Sequence, residues 1–195
     1  MTFKSHQHHK QASDIRTSSR RRFLQVGLGA TAGLVMPNAF ANLLKQPERK
    51  LSLLNLHTGE SINATYWAEG QYQTSELHAI NKILRDFRTG DIHKMDNDLI
   101  DLLNIMHHKI GTNKPFHVIS GYRSPKTNAA LSKNSTGVAK KSLHMQGKAI
   151  DIRVPGQKLS DLRKVALNLH AGGVGFYPES DFIHVDTGRV RHWGA

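Results

Sequence analysis

The chain has 195 residues, the usual size of one domain. Its 38% hydrophobic and 22% charged residues fit a water-soluble globular protein and exclude intrinsic disorder and a polytopic membrane protein. There is no cysteine, which excludes disulfides, thiolate nucleophiles and iron–sulfur clusters, so any bound metal must take nitrogen and oxygen ligands. The formal net charge of +12 indicates a polyanionic partner, either nucleic acid, anionic lipid or an acidic cell-wall polymer.

The N-terminal segment has the order of an export signal. Arg20 and Arg21 open a basic stretch that is followed by an uncharged run at 23–41, with an apolar, glycine-rich part at 26–36 and Ala-Phe-Ala at 39–41. The arginine pair resembles the signal read by the twin-arginine translocase, which exports folded proteins. The run is interrupted by Gln25, and a stable membrane span needs roughly 20 predominantly apolar residues.

We therefore predict a signal peptide at residues 1–41, cleaved after Ala41, and a single domain at 42–195 with a periplasmic location and no stable membrane anchor. Residues 42–195 keep 21 basic and 14 acidic side chains, a net charge of +7. Because export separates the domain from chromosomal DNA, we expect an anionic cell-wall partner and no nucleic acid.

The first elements of the domain are predicted to be a hairpin and two helices. Apolar patterns at 51–56 and 62–67 flank a turn that contains glycine, as expected of paired strands. Apolar residues at helical spacing predict a first helix over 77–87, with Thr74 or Ser75 as its N-cap. A second helix is predicted over 99–106, beginning near Asp96 or Asn97 and ending before Gly111.

The second half is predicted to alternate strands with loops. Strands are expected at 116–120, 149–154, 174–177 and 182–186, and a helix capped by Ser160 is expected over 160–170. The polar stretch 124–142 is predicted to be a long functional loop. This order indicates an α+β fold, with a mixed or antiparallel sheet flanked by helices.

Two short segments combine metal-ligating residue types. Strand alternation at 149–154 points Asp151 away from the apolar face, and His144 lies on the loop just before this strand. In the last strand His184 and Asp186 share one face. Two imidazoles and a carboxylate suit Zn²⁺ and leave a fourth position for water, as in catalytic zinc sites. Spacing alone equally allows a structural His144–Asp151 hydrogen bond with His184 as an unrelated strand residue.

At these residues the sequence resembles the LAS group of zinc metallopeptidases, which includes D-Ala-D-Ala carboxypeptidases and murein endopeptidases. The group's pattern S-x-H-x-x-G-x-A-x-D is met in full, an upstream Ser-Gly-Tyr-Arg occupies 120–123, and His184 matches a downstream strand histidine. The pattern residues are Ser142, His144, Gly147, Ala149 and Asp151.

The resemblance implies one Zn²⁺ per chain on His144, Asp151 and His184, with Arg123 binding a substrate carboxylate or the developing oxyanion. It leaves the general base open. Asp181 lies three residues before His184, where relatives often carry a carboxylate, although strand parity points it away unless the strand begins after it. Asp186 is either the base or a partner that orients a ligand imidazole.

The implied function is hydrolysis of peptide cross-links in peptidoglycan, between two diaminopimelate residues or between D-Ala and diaminopimelate. The alternative is a non-catalytic envelope protein that binds peptidoglycan and carries a structural metal site.

Overall fold

The computed structural model describes residues 42–43, 45–134 and 137–194. Within these residues the chain forms eight strands and four α-helices. The predicted export signal at 1–41 lies outside the described residues.

The first strands confirm the predicted hairpin. Strand β1 (Glu48–Asn55) pairs antiparallel with β2 (Ser61–Ala68), and a short β3 (Gln71–Tyr72) extends the sheet beyond β2. The turn between β1 and β2 contains Gly59 at a φ of 70°, a left-handed conformation that glycine adopts without a steric cost.

Helix α1 (Thr74–Ile83) and helix α2 (Asn97–Ile110) follow, close to the predicted positions. The expected cap of α1 is wrong, because Thr74 already lies inside the helix and the N-cap position is held by Gln73 without a side-chain hydrogen bond. In α2 the side chain of Asp96 accepts a hydrogen bond from the Asp98 amide, so the predicted start is confirmed.

The second half contains β4 (Phe116–Ser120), helix α3 (Pro125–Asn134) and β5 (Ala149–Arg153). It continues with helix α4 (Leu159–Leu169), β6 (Gly173–Tyr177), β7 (Phe182–Asp186) and β8 (Arg191–Trp193).

Three details of this half correct the sequence predictions. The segment 124–142 is not a loop throughout, because Pro125 starts α3 and the Ser124 side chain accepts from the Thr127 amide at 3.2 Å. Helix α4 starts one residue before Ser160, which removes the predicted cap. Strand β8 was not predicted, because its three residues are too few to produce an alternating pattern in the sequence.

The strands form one mixed sheet in the order β3-β2-β1-β4-β5-β7-β6-β8. β1 pairs parallel with β4 and β6 pairs parallel with β8, whereas the other neighbours are antiparallel. The predicted α+β architecture is confirmed. The four most central strands include β5 and β7, which carry three of the predicted site residues.

Apolar residues of the helices and one face of the sheet pack into a common core. Ile150 and Ile152 of β5 are fully buried there, so the alternating Asp151 points to the opposite face. Over the described residues, no helix is both long and apolar enough to cross a membrane.

Candidate active site

The strand register brings two predicted ligands together. In the antiparallel pair of β5 and β7, Asp151 lies directly opposite His184, so residues 33 positions apart in sequence become cross-strand neighbours. On the other side of β7, His184 lies opposite Gly175 of β6. The structure places the Asp151 and His184 side chains on the same face of the sheet, opposite the core.

His144 reaches the same point from a 3₁₀ turn, Leu143–Gln146. The Ser142 hydroxyl accepts from the His144 amide at 3.3 Å and begins this turn, and Gly147 ends it at a φ of 66°. A side chain at Gly147 would also collide with the backbone, since a Cβ there would lie 2.4 Å from the carbonyl oxygen of Lys94. The serine and the glycine of the motif therefore shape the turn that presents the imidazole.

The three side chains converge on one point. His184 Nδ1 lies 2.9 Å from Asp151 Oδ1, and His144 Nε2 lies 3.3 Å from the same oxygen and 3.2 Å from His184 Nδ1. Zinc–ligand distances of about 2.0–2.1 Å in a tetrahedral site place ligand atoms roughly 3.3–3.4 Å apart. The buried donor set and its spacing therefore fit a divalent zinc ion with one position left open.

The second ring nitrogen of each histidine is fixed by a neighbour. His144 Nδ1 lies 2.7 Å from the carbonyl oxygen of Gly121, and His184 Nε2 lies 2.9 Å from Asp186 Oδ2. Both partners are acceptors, so this network assigns a proton to each of these nitrogens. In the neutral imidazoles, His144 Nε2 and His184 Nδ1 then carry the lone pairs on the side of Asp151, which is the usual orientation of metal-binding imidazoles.

Asp186 is fully buried and its carboxylate is held on all sides. Arg191 donates to Oδ1 at 3.0 Å and to Oδ2 at 2.7 Å, and the amides of Gly173 and Gly188 donate to Oδ1. These contacts fit the orienting role that the sequence left open for Asp186, because the oxygen that faces His184 already receives two donors.

Burial and neighbouring charges have opposite effects on the pKa values of Asp151 and His184. Burial opposes ionisation of Asp151, but the adjacent His144 and His184 outweigh it and hold the pKa of this carboxyl below its usual range. Burial also disfavours the charged His184, but the Asp151 and Asp186 carboxylates raise the pKa of its imidazole to about 9. Without a metal the site therefore attracts a proton, the smallest cation available to it.

Arg123 lies beside the cluster with loose contacts. Its Nη2 is 3.6 Å from Asp151 Oδ2 and 3.4 Å from the Ser120 hydroxyl, and its Nη1 is 3.5 Å from Asn128 Oδ1. Nε is buried without a hydrogen-bond partner among the described residues. Burial lowers the pKa of the guanidinium, although Asp151 opposes this shift. Such under-satisfied donors suit an incoming anion.

The structure does not bring Asp181 into the cluster. β7 begins only at Phe182, and Asp181 precedes it in a left-handed conformation with a φ of 52°. Its carboxylate is largely exposed and accepts from Arg153 Nη1 at 2.7 Å. The parity that would point Asp181 away within a strand therefore does not apply to it.

A cavity of about 300 Å³ opens over the cluster. Sequence reasoning missed Tyr177, Arg191 and Trp193 in its wall, because these residues reach the site only through the pairing of β6 with β7 and β8. The accumulation of aromatic and basic residues in the last 20 positions was the available signal. The cavity is lined by Arg123, Gly137, Val138, Ala139, Lys141, Ser142, Leu143, His144, Asp151, Tyr177, Phe182, His184, Arg191 and Trp193.

A small α+β domain with a buried His-Asp-His cluster at the floor of a cavity, and with Arg123 beside this cluster, has the architecture of the LAS class of peptidases. Comparison with known proteins narrows the class. The family model described as peptidoglycan L,D-endopeptidase MepK matches residues 44–193. The chain belongs to this family.

Individual relatives agree with the family match. Peptidoglycan L,D-endopeptidase MepK of Escherichia coli is 46% identical over 177 residues, which cover 90% of this chain and 97% of the relative. The protein of the same name from Shigella flexneri gives the same values. The probable peptidoglycan L,D-endopeptidase MepK of Haemophilus influenzae is 38% identical over 177 residues, covering 90% of this chain and 95% of the relative.

Proposed function

We propose that this chain is a zinc-dependent murein endopeptidase that hydrolyses peptide cross-links of peptidoglycan. The observation that carries the proposal is the convergence of His144, Asp151 and His184 on one point in a chain that belongs to the MepK family. One zinc ion per chain would be held by these residues. When bound, zinc supplies a Lewis acid that polarises a carbonyl and lowers the pKa of water to about 7.

The protein's own groups then divide the remaining work. Arg123 binds a carboxylate or the developing oxyanion of the substrate, which its long, loose contacts leave it free to do. Asp186 orients His184 and, held by Arg191, cannot turn toward a substrate without breaking several hydrogen bonds. It is therefore a poor proton acceptor.

Asp181 is the better candidate for the general base. Its exposed ion pair with Arg153 is of a kind worth about 0–1 kcal/mol, so its carboxylate can leave that partner at little cost. A catalytic base is often misaligned in the free enzyme and becomes aligned only when substrate is bound. In this role Asp181 takes a proton from the attacking water and returns it to the leaving amine, a step that an Asp181→Asn variant would lose.

The relatives' L,D designation favours the bond between two diaminopimelate residues over the bond between D-Ala and diaminopimelate. The proposal includes export through the twin-arginine translocase, removal of residues 1–41 and action in the periplasm. The net charge of +7 on residues 42–195 would concentrate the enzyme on the carboxylate-bearing wall.

The test is digestion of purified cross-linked muropeptides by residues 42–195, with and without a chelator, beside His144→Ala. His107→Ala is the matched control, because that histidine lies on α2 outside the cavity and its ring contacts the Lys114 carbonyl. We expect dimers to become monomers only with zinc and an intact His144, and the product masses identify the bond. A chain that holds zinc and binds the polymer without cutting it would be the peptidoglycan-binding protein instead.

A further inference from the structure

Tyr177 lies at the edge of the cavity on the strand next to His184. It is the last residue of β6, and strand alternation places it on the same face as Gly175, the residue opposite His184. Its ring stacks on Phe182 with centroids 4.6 Å apart and an interplanar angle of 21°. The backbone and this stack together fix the direction of the Tyr177 hydroxyl.

The Tyr177 hydroxyl accepts a hydrogen bond from Trp193. Trp193 Nε1 lies 2.9 Å from Tyr177 Oη, and an indole N–H can only donate, so the tyrosine oxygen is the acceptor. The hydroxyl proton finds no acceptor among the described residues. Because a donor already feeds the oxygen, the O–H is strengthened as a donor toward whatever enters the cavity.

The fold holds Trp193 in this position. β8 runs parallel to β6 with Trp193 opposite Gly175, and a Cβ on Gly175 would lie only 2.6 Å from the indole ring. Arg191 covers the indole, with its guanidinium carbon 4.9 Å from the ring centroid. The glycine thus provides the space that lets the indole lie over the strand and reach Tyr177.

Tyr177 is connected to the His184 side of the metal-binding cluster through Trp193, and Arg123 contacts Asp151. The Trp193 ring that donates to Tyr177 lies 5.2 Å from the His184 ring, whereas Arg123 contacts Asp151. Both Tyr177 and Arg123 line the cavity. The Tyr177 hydroxyl is a neutral donor, whereas the Arg123 guanidinium is a charged group with several N–H donors, so the two suit different substrate groups.

We infer that the Tyr177 hydroxyl is a further catalytic group, which donates a hydrogen bond to the oxygen of the scissile carbonyl as that oxygen gains negative charge. The inference rests on the proposed function and deepens it. No proton is transferred, because the hydroxyl keeps its hydrogen while stabilising the charge. This assignment leaves Arg123 to bind a carboxylate of the substrate, which resolves the choice between its two roles.

The test compares Tyr177→Phe with the wild type on purified muropeptide dimers. The variant keeps the ring stack on Phe182 and loses only the hydroxyl, so we expect kcat to fall by about 10²-fold, the usual effect of removing one oxyanion donor, with little change in KM. Zinc content should be unchanged, and thermal unfolding should shift only slightly, because Trp193 Nε1 loses its acceptor at a partly buried position. Trp193→Phe, which removes the donor to Tyr177, should lower kcat less.

Binding provides a readout that does not depend on turnover. A phosphinic peptide carries a tetrahedral anion where the substrate carries the scissile carbonyl, so Tyr177→Phe should bind it about 10²-fold more weakly while binding an uncleaved stem peptide normally. Tyr72→Phe is the control, since it removes a tyrosine hydroxyl that contacts Asp101 outside the cavity and should keep the wild-type kcat.

The outcomes separate the two claims. A wild-type chain that cuts no dimer overturns the proposed function. A wild-type chain that cuts, together with a Tyr177→Phe variant of unchanged kcat and phosphinate affinity, overturns the inference alone. A variant with raised KM and unchanged kcat also overturns it, because the hydroxyl would then bind the ground state and the transition state equally.

Discussion

Two buried aspartates in this molecule have opposite surroundings. Asp101 on α2 accepts hydrogen bonds from Tyr66 and Tyr72 at 2.8 Å and from Arg49 at 3.1–3.2 Å. Every one of these partners is a donor. Asp151 on β5 instead faces His144 Nε2 and His184 Nδ1, the ring nitrogens that bind either a proton or a metal ion.

The arginines near these aspartates differ as well. Arg49 contacts Asp101 closely and lies over the Trp67 ring at 4.2 Å, although its Nε has no hydrogen-bond partner among the described residues. Arg123 keeps its nearest Asp151 oxygen at 3.6 Å. Donors surround Asp101, so its carboxylate is satisfied within the cluster. The two imidazoles beside Asp151 need a cation between themselves and the carboxylate, either a proton or a metal ion, and this distinguishes a site from a structural network.

The largest effect is expected from a substitution of Asp151, the aspartate of the active-site cluster. Asp151→Asn replaces a ligand oxygen without changing its size, and zinc binding should be lost together with the several kcal/mol of catalysis that a metal supplies, roughly 10³-fold in rate. The metal-free variant should also be less stable than the metal-free wild type at neutral pH, because it loses the carboxylate that pairs with His184 and Arg123. Zinc titration followed by calorimetry and muropeptide digestion measure both effects.

The same substitution at Asp101 should lower the free energy of unfolding and leave zinc binding and catalysis unchanged. Asp101→Asn removes the negative charge from buried Arg49, and breaking a buried ion pair typically costs about 3–5 kcal/mol of the free energy of unfolding. Urea denaturation measures this loss. Zinc affinity and kcat per folded molecule should stay at wild-type values; a large fall in either would show that the two clusters are coupled.

Asp186 tests how far the active-site cluster extends. Asp186→Asn keeps an acceptor for His184 but removes the charge that Arg191 binds, so zinc affinity should fall by about 10–100-fold, as for other outer partners of metal ligands. Competition with a fluorescent chelator measures the affinity. An unchanged affinity combined with lost activity would instead assign Asp186 as the general base.

The smallest effect concerns Asp86, which supports the segment bearing Arg123. Its Oδ2 accepts from the Ser124 amide at 2.9 Å. Burial alone would raise the pKa of Asp86, but hydrogen bonds from Thr127, Ser124 and the Arg88 amide outweigh it and lower the pKa to about 2. Because the folded pKa lies below the unfolded value of about 3.9, Asp86 contributes about 2 kcal/mol at neutral pH.

This contribution should disappear as the pH falls from about 4 to 2. Asp86→Asn should therefore be less stable than the wild type at pH 7, and the two proteins should approach equal stability near pH 2. Urea denaturation across this range is the measurement. A difference that does not depend on pH would mean that shape at this position matters and charge does not.

The helices and strands that were predicted correctly are those with a clear pattern of apolar residues in their own sequence. The β1–β2 hairpin, α2, β4, β5 and β7 follow from alternation, helical spacing and capping, and these patterns come from periodic burial. Helix α3 escaped prediction because its ten residues include few apolar ones, so no amphipathic pattern distinguishes it from a loop. β8 escaped because three residues carry no period.

The sequence by itself determined the residue types of the site and their motif: His144, Asp151 and His184 were predicted together, and the tertiary structure brings them within 2.9–3.3 Å of one another. Only the tertiary structure shows which neighbouring residues contact these three. Arg191 and the Gly173 amide hold the Asp186 carboxylate against His184 Nε2, and β8 brings Trp193 to Tyr177. The physical reason is that a motif fixes chemistry along the chain, whereas direction and distance between side chains depend on register between strands distant in sequence.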